Sequence, residues 1–218
     1  MAIETGSAPA AECALCPRLA AFRAENRRSF PDWHNAPVSS FGEATARVLV
    51  VGLAPGLRGA NRTGRPFTGD GAGDLLYAGL LASGFAAGVY TARANDGLEL
   101  VQSRITNAVR CVPPANRPNA GEVNTCRRFL AAEIASLPAL KAILALGVLA
   151  HRSVVTALGE PLSAYPFRHG AFHALRSGLV LADSYHCSRY NLNTKRLSPA
   201  MFHEVCSKLR RRLDGCAP

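Results

Sequence analysis

A chain of 218 residues, 48% of them hydrophobic, is long enough to bury one sizeable core and short for two. No apolar run approaches the roughly 18 residues of a membrane span, and residues 1–12 lack the basic-then-apolar pattern of a secretory leader, so a cytoplasmic protein without membrane association is expected. Twenty-five lysines and arginines against fifteen acidic residues leave a net charge of +10, which either attracts polyanions, nucleic acid foremost, or reflects only an arginine-rich coding bias.

Along the chain, Cys13-x-x-Cys16 comes first and has the spacing of a ligand pair. The run 47–52 is apolar, ends in glycine ahead of a proline-containing loop, and reads as a buried strand. A helix is expected over Gly73 to Leu81, where Leu76, Leu80 and Leu81 share a face. Ile105 to Val109 reads as a second strand, followed directly by Cys111. Asn119 and Glu122 form a capping-box signature ahead of Val123, Cys126, Phe129, Leu130 and Ile134. Ala142 to Leu146 is a third strand and Gly147 to Leu158 a helix. Leu179 to Ala182 is a fourth strand, pairing as a hairpin between 172–176 and 178–182. Ser198-Pro199 starts a last helix with Phe202, Val205, Cys206, Leu209 and Leu213 on its apolar face, and Gly215 just beyond its end.

Strands separated by helices predict an α/β fold: three α/β/α layers around a central, mostly parallel, four-stranded sheet, as a single domain over 1–218. Ligands bind such sheets at the C-terminal ends of the strands, which gathers the loops after Gly52, Val109 and Asp183 at one rim.

The loop Gly52–Asp70 holds five glycines and two prolines. Glycine admits positive φ and close backbone approach, and proline stiffens the path between. No Gly-Lys-Ser/Thr closes the loop and no Gly-x-Gly-x-x-Gly opens a helix, so it is neither a P-loop nor a dinucleotide fingerprint. Pattern alone leaves a phosphate or base site against a long structural loop.

The loop's sequence, GLAPGLRGANRTGRPFTGD, closely resembles the first motif of the family 5 uracil-DNA glycosylases, and the resemblance extends from Cys13 to about Lys195. Related family 4 enzymes carry glutamate where this chain has Ala54. The second motif of the family, His-Pro-Ser-Pro-x-Asn, is matched at His186, Ser188 and Asn191, with Cys187 and Arg189 in place of its prolines. Losing both prolines is expected to loosen that loop.

The resemblance implies hydrolysis of the bond between uracil and deoxyribose in DNA, with hypoxanthine and other deaminated bases as further substrates. The target base is flipped from the duplex into a pocket. Gly52, Ala54, Pro55, Gly56, Asn61 and Phe67 would line it, Phe67 stacking on the base. Asn107 would bond the Watson–Crick edge of uracil, or merely end its strand. His186 would donate to the departing uracil anion, or be an ordinary loop histidine. With Ala54 in the glutamate position, Asp70 is the candidate carboxylate for activating water and balancing an oxocarbenium-like sugar, against a role as a helix N-cap. Asn61 is the other candidate for placing the water. Arg58, Arg62 and Arg65 would contact phosphates, and Ser188, Arg189 and Tyr190 would meet the DNA, the last two filling the gap left by the flipped nucleotide. No lysine lies in either motif, so base release without strand cutting is expected.

Four cysteines suit either zinc or an iron–sulfur cluster by spacing alone. The resemblance implies a structural [4Fe–4S] cluster on Cys13, Cys16, Cys111 and Cys126 that ties down the N-terminal segment. Cys206 reads as core and Cys216 as inert. The partner expected is uracil-containing DNA, met by a monomer. The competing reading is a protein that binds uracil or damaged sites in DNA without turning over.

Overall fold

The computed structural model describes residue 6 and residues 8–215; Cys216 lies outside the described residues. The elements in chain order are α1 (Pro17–Ser29), β1 (Phe41–Gly42), β2 (Val48–Gly52), α2 (Ala60–Thr63), α3 (Gly71–Ala82), β3 (Ala86–Ala87), β4 (Glu99–Leu100), β5 (Ser103–Asn107), α4 (Ala120–Ala135), β6 (Ala142–Leu146), α5 (Val148–Ala157), β7 (Phe172–Ala174), β8 (Val180–Ser184), α6 (Arg189–Asn193) and α7 (Pro199–Leu213).

The sheet has the order β1-β5-β2-β6-β8-β7. Its four central strands run parallel, and β1 and β7 add antiparallel edges, so six strands replace the four expected. The central four are those the apolar runs predicted. The edges escaped because a strand of two or three half-exposed residues has no apolar run to betray it. The β7–β8 hairpin forms as expected, turning at Gly178 with φ +82°.

Every residue of β2 and β6 is buried, as happens when helices cover both faces of a parallel sheet. Alternate residues then serve opposite layers. Val48 and Val50 face a cluster with Leu76, Leu80, Phe202 and Leu209 of α3 and α7, while Leu49 and Val51 face Leu130, Ile134, Val154 and Val155 of α4 and α5.

The helix ends follow the capping chemistry. At α4 both halves of the capping box form, Glu122 N–H to Asn119 Oδ1 and Asn119 N–H to Glu122 Oε2, each at 2.8 Å. Ser198 caps α7 by accepting from Met201 N–H at 3.2 Å. Helix α1, which the reading of the sequence missed, has no continuous apolar stripe; Leu19, Arg23 and Asn26 are its buried residues. Strand β5 begins and ends two residues earlier than the run 105–109, yet Ala108 and Val109 still donate to the carbonyls of Gly52 and Leu53, both at 2.9 Å. This continued pairing holds the loops after β2 and β5 side by side at the rim.

Candidate active site

At that rim lies a cavity of about 610 Å³, lined by Ala54, Pro55, Gly56 and Arg58 after β2, Phe67, Asp70 and Gly71 before α3, Asn107 and Asn116 at and beyond β5, and His186, Ser188 and Arg189 after β8. Residues far apart in sequence meet because four parallel strands end at one level.

The geometry shows why the loop is rich in glycine. Gly52 pairs with Asn107 across β2 and β5, and a Cβ on Gly52 would collide with both the Asn107 amide and the Phe67 ring. Gly52 therefore lies beneath the pocket and makes room for its floor. A Cβ on Gly59 would collide with Asp70 Oδ2, and one on Gly56 would stand 2.5 Å from it. These two glycines leave space for one carboxylate oxygen.

Asp70 serves as the cap and also presents a free carboxylate oxygen to the pocket. It is the N-cap of α3, Oδ1 accepting from Ala72 N–H at 3.2 Å, while Oδ2 projects over Gly56 and Gly59 at the pocket. The Phe67 ring is 5.8 Å from that of His186, tilted by 33°. The amide oxygen of Asn107 is buried without a hydrogen-bond partner. An acceptor left so costs about 1–3 kcal/mol until a ligand donor meets it. Burial holds the His186 imidazole below the ordinary histidine pKa, and the Asp70 charge pulls the other way, so the ring is neutral at pH 7.

Phe67 has φ +52°, a left-handed conformation that is an outlier for a bulky residue. The surroundings over-determine it. Tyr90 Oη donates to the Phe67 carbonyl at 3.2 Å and Tyr77 Oη to the Pro66 carbonyl at 2.7 Å. Gly73 must lack a side chain, since a Cβ there would run into the Phe67 carbonyl. Strain of this kind, about 1–3 kcal/mol, persists where the fold imposes a functional pose. Neither tyrosine nor Asn116 was found by reading the sequence, because all three lie outside the motifs.

Two expectations are corrected here. Arg65 is not a phosphate contact: its guanidinium is buried in a two-point ion pair with Asp96, at 2.8 and 2.9 Å, and lies over the rings of Phe41, Tyr77 and Tyr90. Asn61 cannot place a water in the pocket, because it is fully buried in α2 with its amide donated to Asn35 Oδ1 at 2.9 Å. Arg58 and Arg62 are exposed, and Arg58 lines the cavity.

The second motif is anchored despite its missing prolines. Cys187 is buried in the core, Ser188 caps α6, and Asn191 Nδ2 donates to the His186 carbonyl at 2.8 Å. Packing and hydrogen bonds hold the loop where the family's prolines would stiffen it. Burial pushes the Cys187 thiol well above its usual pKa, which makes it packing and not a nucleophile. Beyond it, Arg189 lies over Gly71 and Tyr190 stands 72% exposed.

Beneath the pocket, Cys13, Cys16, Cys111 and Cys126 line one small cavity between α1, the loop after β5 and α4, with Ala54 packed against its edge. Arg23 Nη1 donates to Cys111 Sγ at 3.2 Å and Arg110 N–H to Cys126 Sγ at 3.4 Å. Burial raises the Cys111 and Cys126 thiols, to about 11 and about 12, and these N–H groups act in the opposite sense, toward the thiolate form that binds metal. Arg23 Nε is buried without a partner, and the same side chain lines the cavity. Four convergent thiols, a buried cation and an unpaired donor fit a metal centre of net negative charge.

Another group is buried under β8. Asp183 accepts from His151 Nδ1 at 2.7 Å and from His173 Nε2 at 3.2 Å, and His151 Nε2 faces the Tyr165 carbonyl at 2.8 Å. Three ligand atoms of these residues lie within 4.8 Å of one another. Both nitrogens of His151 face oxygen atoms of the protein itself. The group is a hydrogen-bonded network that secures β8 below His186.

The profile of the Uracil DNA glycosylase superfamily matches residues 39–210, which is the class that this sheet and rim pocket define. A type-5 uracil-DNA glycosylase of Thermus thermophilus is 43% identical, over 91% of this chain and 93% of the relative. Those of Mycobacterium leprae and Pyrobaculum aerophilum are 42% and 41% identical, each over 88% of this chain. The chain belongs to the type-5 uracil-DNA glycosylases.

Proposed function

We propose that the protein is a monofunctional uracil-DNA glycosylase that hydrolyses the N-glycosidic bond of uracil in DNA and leaves an abasic site. The observation that carries this reading is the convergence of Phe67, Asn107, His186 and Asp70 on one cavity, in a chain over 40% identical to three type-5 enzymes.

In this reading Phe67, held rigid by its strained backbone, stacks on the flipped base and replaces the lost neighbours. The unpaired Asn107 amide oxygen accepts from uracil N3–H, a donor that cytosine lacks. As the C1′–N1 bond breaks, its electron pair passes to uracil, and the neutral His186 ring donates to O2 of the anion. The sugar becomes cationic beside Asp70 Oδ2. That oxygen orients the water that bonds to C1′ and takes its proton. Ala54, Pro55 and Gly56 bound the base. The small Ala54 leaves room for hypoxanthine and other deaminated bases. Arg58 and Arg62 contact phosphates, and Ser188, Arg189 and Tyr190 occupy the gap in the duplex.

Cys13, Cys16, Cys111 and Cys126 would hold a [4Fe–4S] cluster, whose contribution when bound is structural. These residues join α1 to the loop after β5 and to α4, so that the chain works as one domain and a monomer in the reducing cytoplasm.

The test is release of base from a uracil-containing oligonucleotide, read as strand scission after hot alkali. The protein should produce alkali-labile sites. Asp70→Asn, which retains a good N-cap, should lower kcat by about 10²–10⁴ while binding the same duplex within a few fold. No release by the iron-loaded protein would sink the hydrolase reading in favour of a non-catalytic DNA binder. An unimpaired Asp70→Asn would remove Asp70 from the chemistry.

A further inference from the structure

Away from the rim pocket, a second cavity of about 540 Å³ lies between the loop ahead of β7 and the C-terminal half of α7. Its walls carry Arg168, Lys208, Arg211 and Arg212, with Phe172 and His173. All four cationic side chains are exposed. Among the described residues Arg168, Arg211 and Arg212 have no carboxylate partner, and Lys208 pairs with Glu204 at 2.7 Å. Glu204 is an exposed carboxylate at this wall and also feels His169 and Arg211, and the buried Asp183 carboxylate behind it accepts from His173 Nε2 and Arg168 N–H. Arg212 lies over the Phe172 ring at 4.8 Å, which holds its charge at the groove edge. Four cations around a concave surface, against one exposed and one buried carboxylate, repel one another unless an anion neutralises them.

The groove loop is fastened to the segment that leads into the active-site rim. His169, next to Arg168, stacks on Tyr185 at 4.9 Å and accepts from its N–H at 3.2 Å, and Tyr185 directly precedes His186. Gly170 N–H bonds the Asp183 carbonyl at 2.8 Å, which fixes the groove loop to the end of β8. Arg196 lies over the other ring of this stack, 4.6 Å from the Tyr185 centroid. Arg196 on this stack and Arg168 beside it thus add positive charge between the residue that precedes His186 and the groove's Arg211 and Arg212.

We propose that this groove is an accessory DNA-backbone site, which holds phosphates of the duplex to one side of the flipped nucleotide. Small anions could satisfy one or two of these cations, whereas several exposed charges spread over a groove and the adjoining stack match a polyanion whose phosphates recur along a strand. The contacts are with phosphate and carry no sequence preference, so they lengthen residence on DNA without affecting bond cleavage. This inference rests on DNA being the substrate.

The test uses the iron-loaded full chain and the triple variant Arg168→Gln, Arg211→Gln and Arg212→Gln, all exposed residues outside the lining of the rim pocket. Binding of a long uracil-free duplex is measured against salt, together with uracil release from that duplex carrying one uracil and from a short single-stranded oligonucleotide that only spans the pocket. The slope of log K against log salt should become shallower by about 3, since each phosphate contact contributes about 0.9. KM on the long duplex should rise roughly tenfold at low salt, a loss of about 1.4 kcal/mol of binding, with kcat unchanged and the short substrate unaffected. An unchanged salt slope would overturn the proposal. So would an equal loss on the short and long substrates, which would mark a disturbed rim instead. Because the slope is read on uracil-free DNA, failure of the hydrolase reading would appear separately, as absence of base release by the unaltered protein.

Discussion

At the scale of single residues, the site places each functional atom by giving something else to its neighbour. Asp70 spends one carboxylate oxygen on the N-terminus of α3 and keeps the other over Gly56 and Gly59. His186 is neutral because it is half-buried, and its nearest opposing influence is the Asp70 charge. The sign of its titration follows. A histidine with a depressed folded-state pKa binds its proton more readily when unfolded, so its contribution to stability rises with pH through the window below 6.5. Followed by NMR, the His186 ring should titrate below 6.5, and in Asp70→Asn, where the stabilising anion is gone, lower still. A midpoint that moves upward in that variant would show that Asp70 does not act on the ring. Residue types in the two motifs announced these candidates, but could not tell whether Asp70 turns to the α3 N-terminus or to the pocket. That required seeing that its two oxygens face different partners.

At the scale of elements, the segment between β2 and α3 is a braced loop. Its bracing comes from outside the first motif: Asp96 takes N–H bonds from Thr91 and Leu98 as well as the Arg65 guanidinium, and Tyr77 and Tyr90 hold the carbonyls of Pro66 and Phe67. The Arg65 guanidinium, foremost among these, keeps the Asp96 carboxyl well below the usual range. Arg65 was read as a DNA contact because arginines in a glycine-rich loop of a basic protein resemble phosphate ligands. Its partner thirty-one positions away cannot be seen from local pattern. Tyr90→Phe removes one hydrogen bond to the strained Phe67 and should cost about 1 kcal/mol of stability. Its kcat/KM for uracil release should fall several-fold more than that of an exposed control such as Glu99→Gln. Equal values for the two variants would mean that Phe67 holds its pose without the clamp.

At the scale of the whole molecule, the sheet brings four strand ends to one rim, and the cysteine cavity ties the N-terminal segment to it. Ala54 touches both, lining the active-site pocket and packing beside the cysteines. Metal affinity is folding free energy for a segment that has little core of its own. Cys126→Ser should therefore lose bound iron, and the midpoint of thermal unfolding should fall by roughly 5–10 °C. Iron content equal to that of the unaltered protein would show that Cys126 is not a ligand. No helix among the described residues is long and apolar enough to cross a membrane, in keeping with the charged, arginine-rich surface.

The apolar runs over β2, β6 and β8, the capping signatures at Asn119 and Ser198, and the punctuation of Gly52–Asp70 were legible in the sequence by itself. Each depends on neighbours within a few positions, where period and residue type carry the information. The short edge strands, the burial of Arg65 and Asn61, the tyrosine clamp on Phe67, the packing role of Cys187 and the basic groove along α7 were decided only by the tertiary structure. Those features depend on which distant segments share a surface, and whether a charged or amide side chain meets solvent, substrate or a buried partner is set by that packing and not by the residue's own identity.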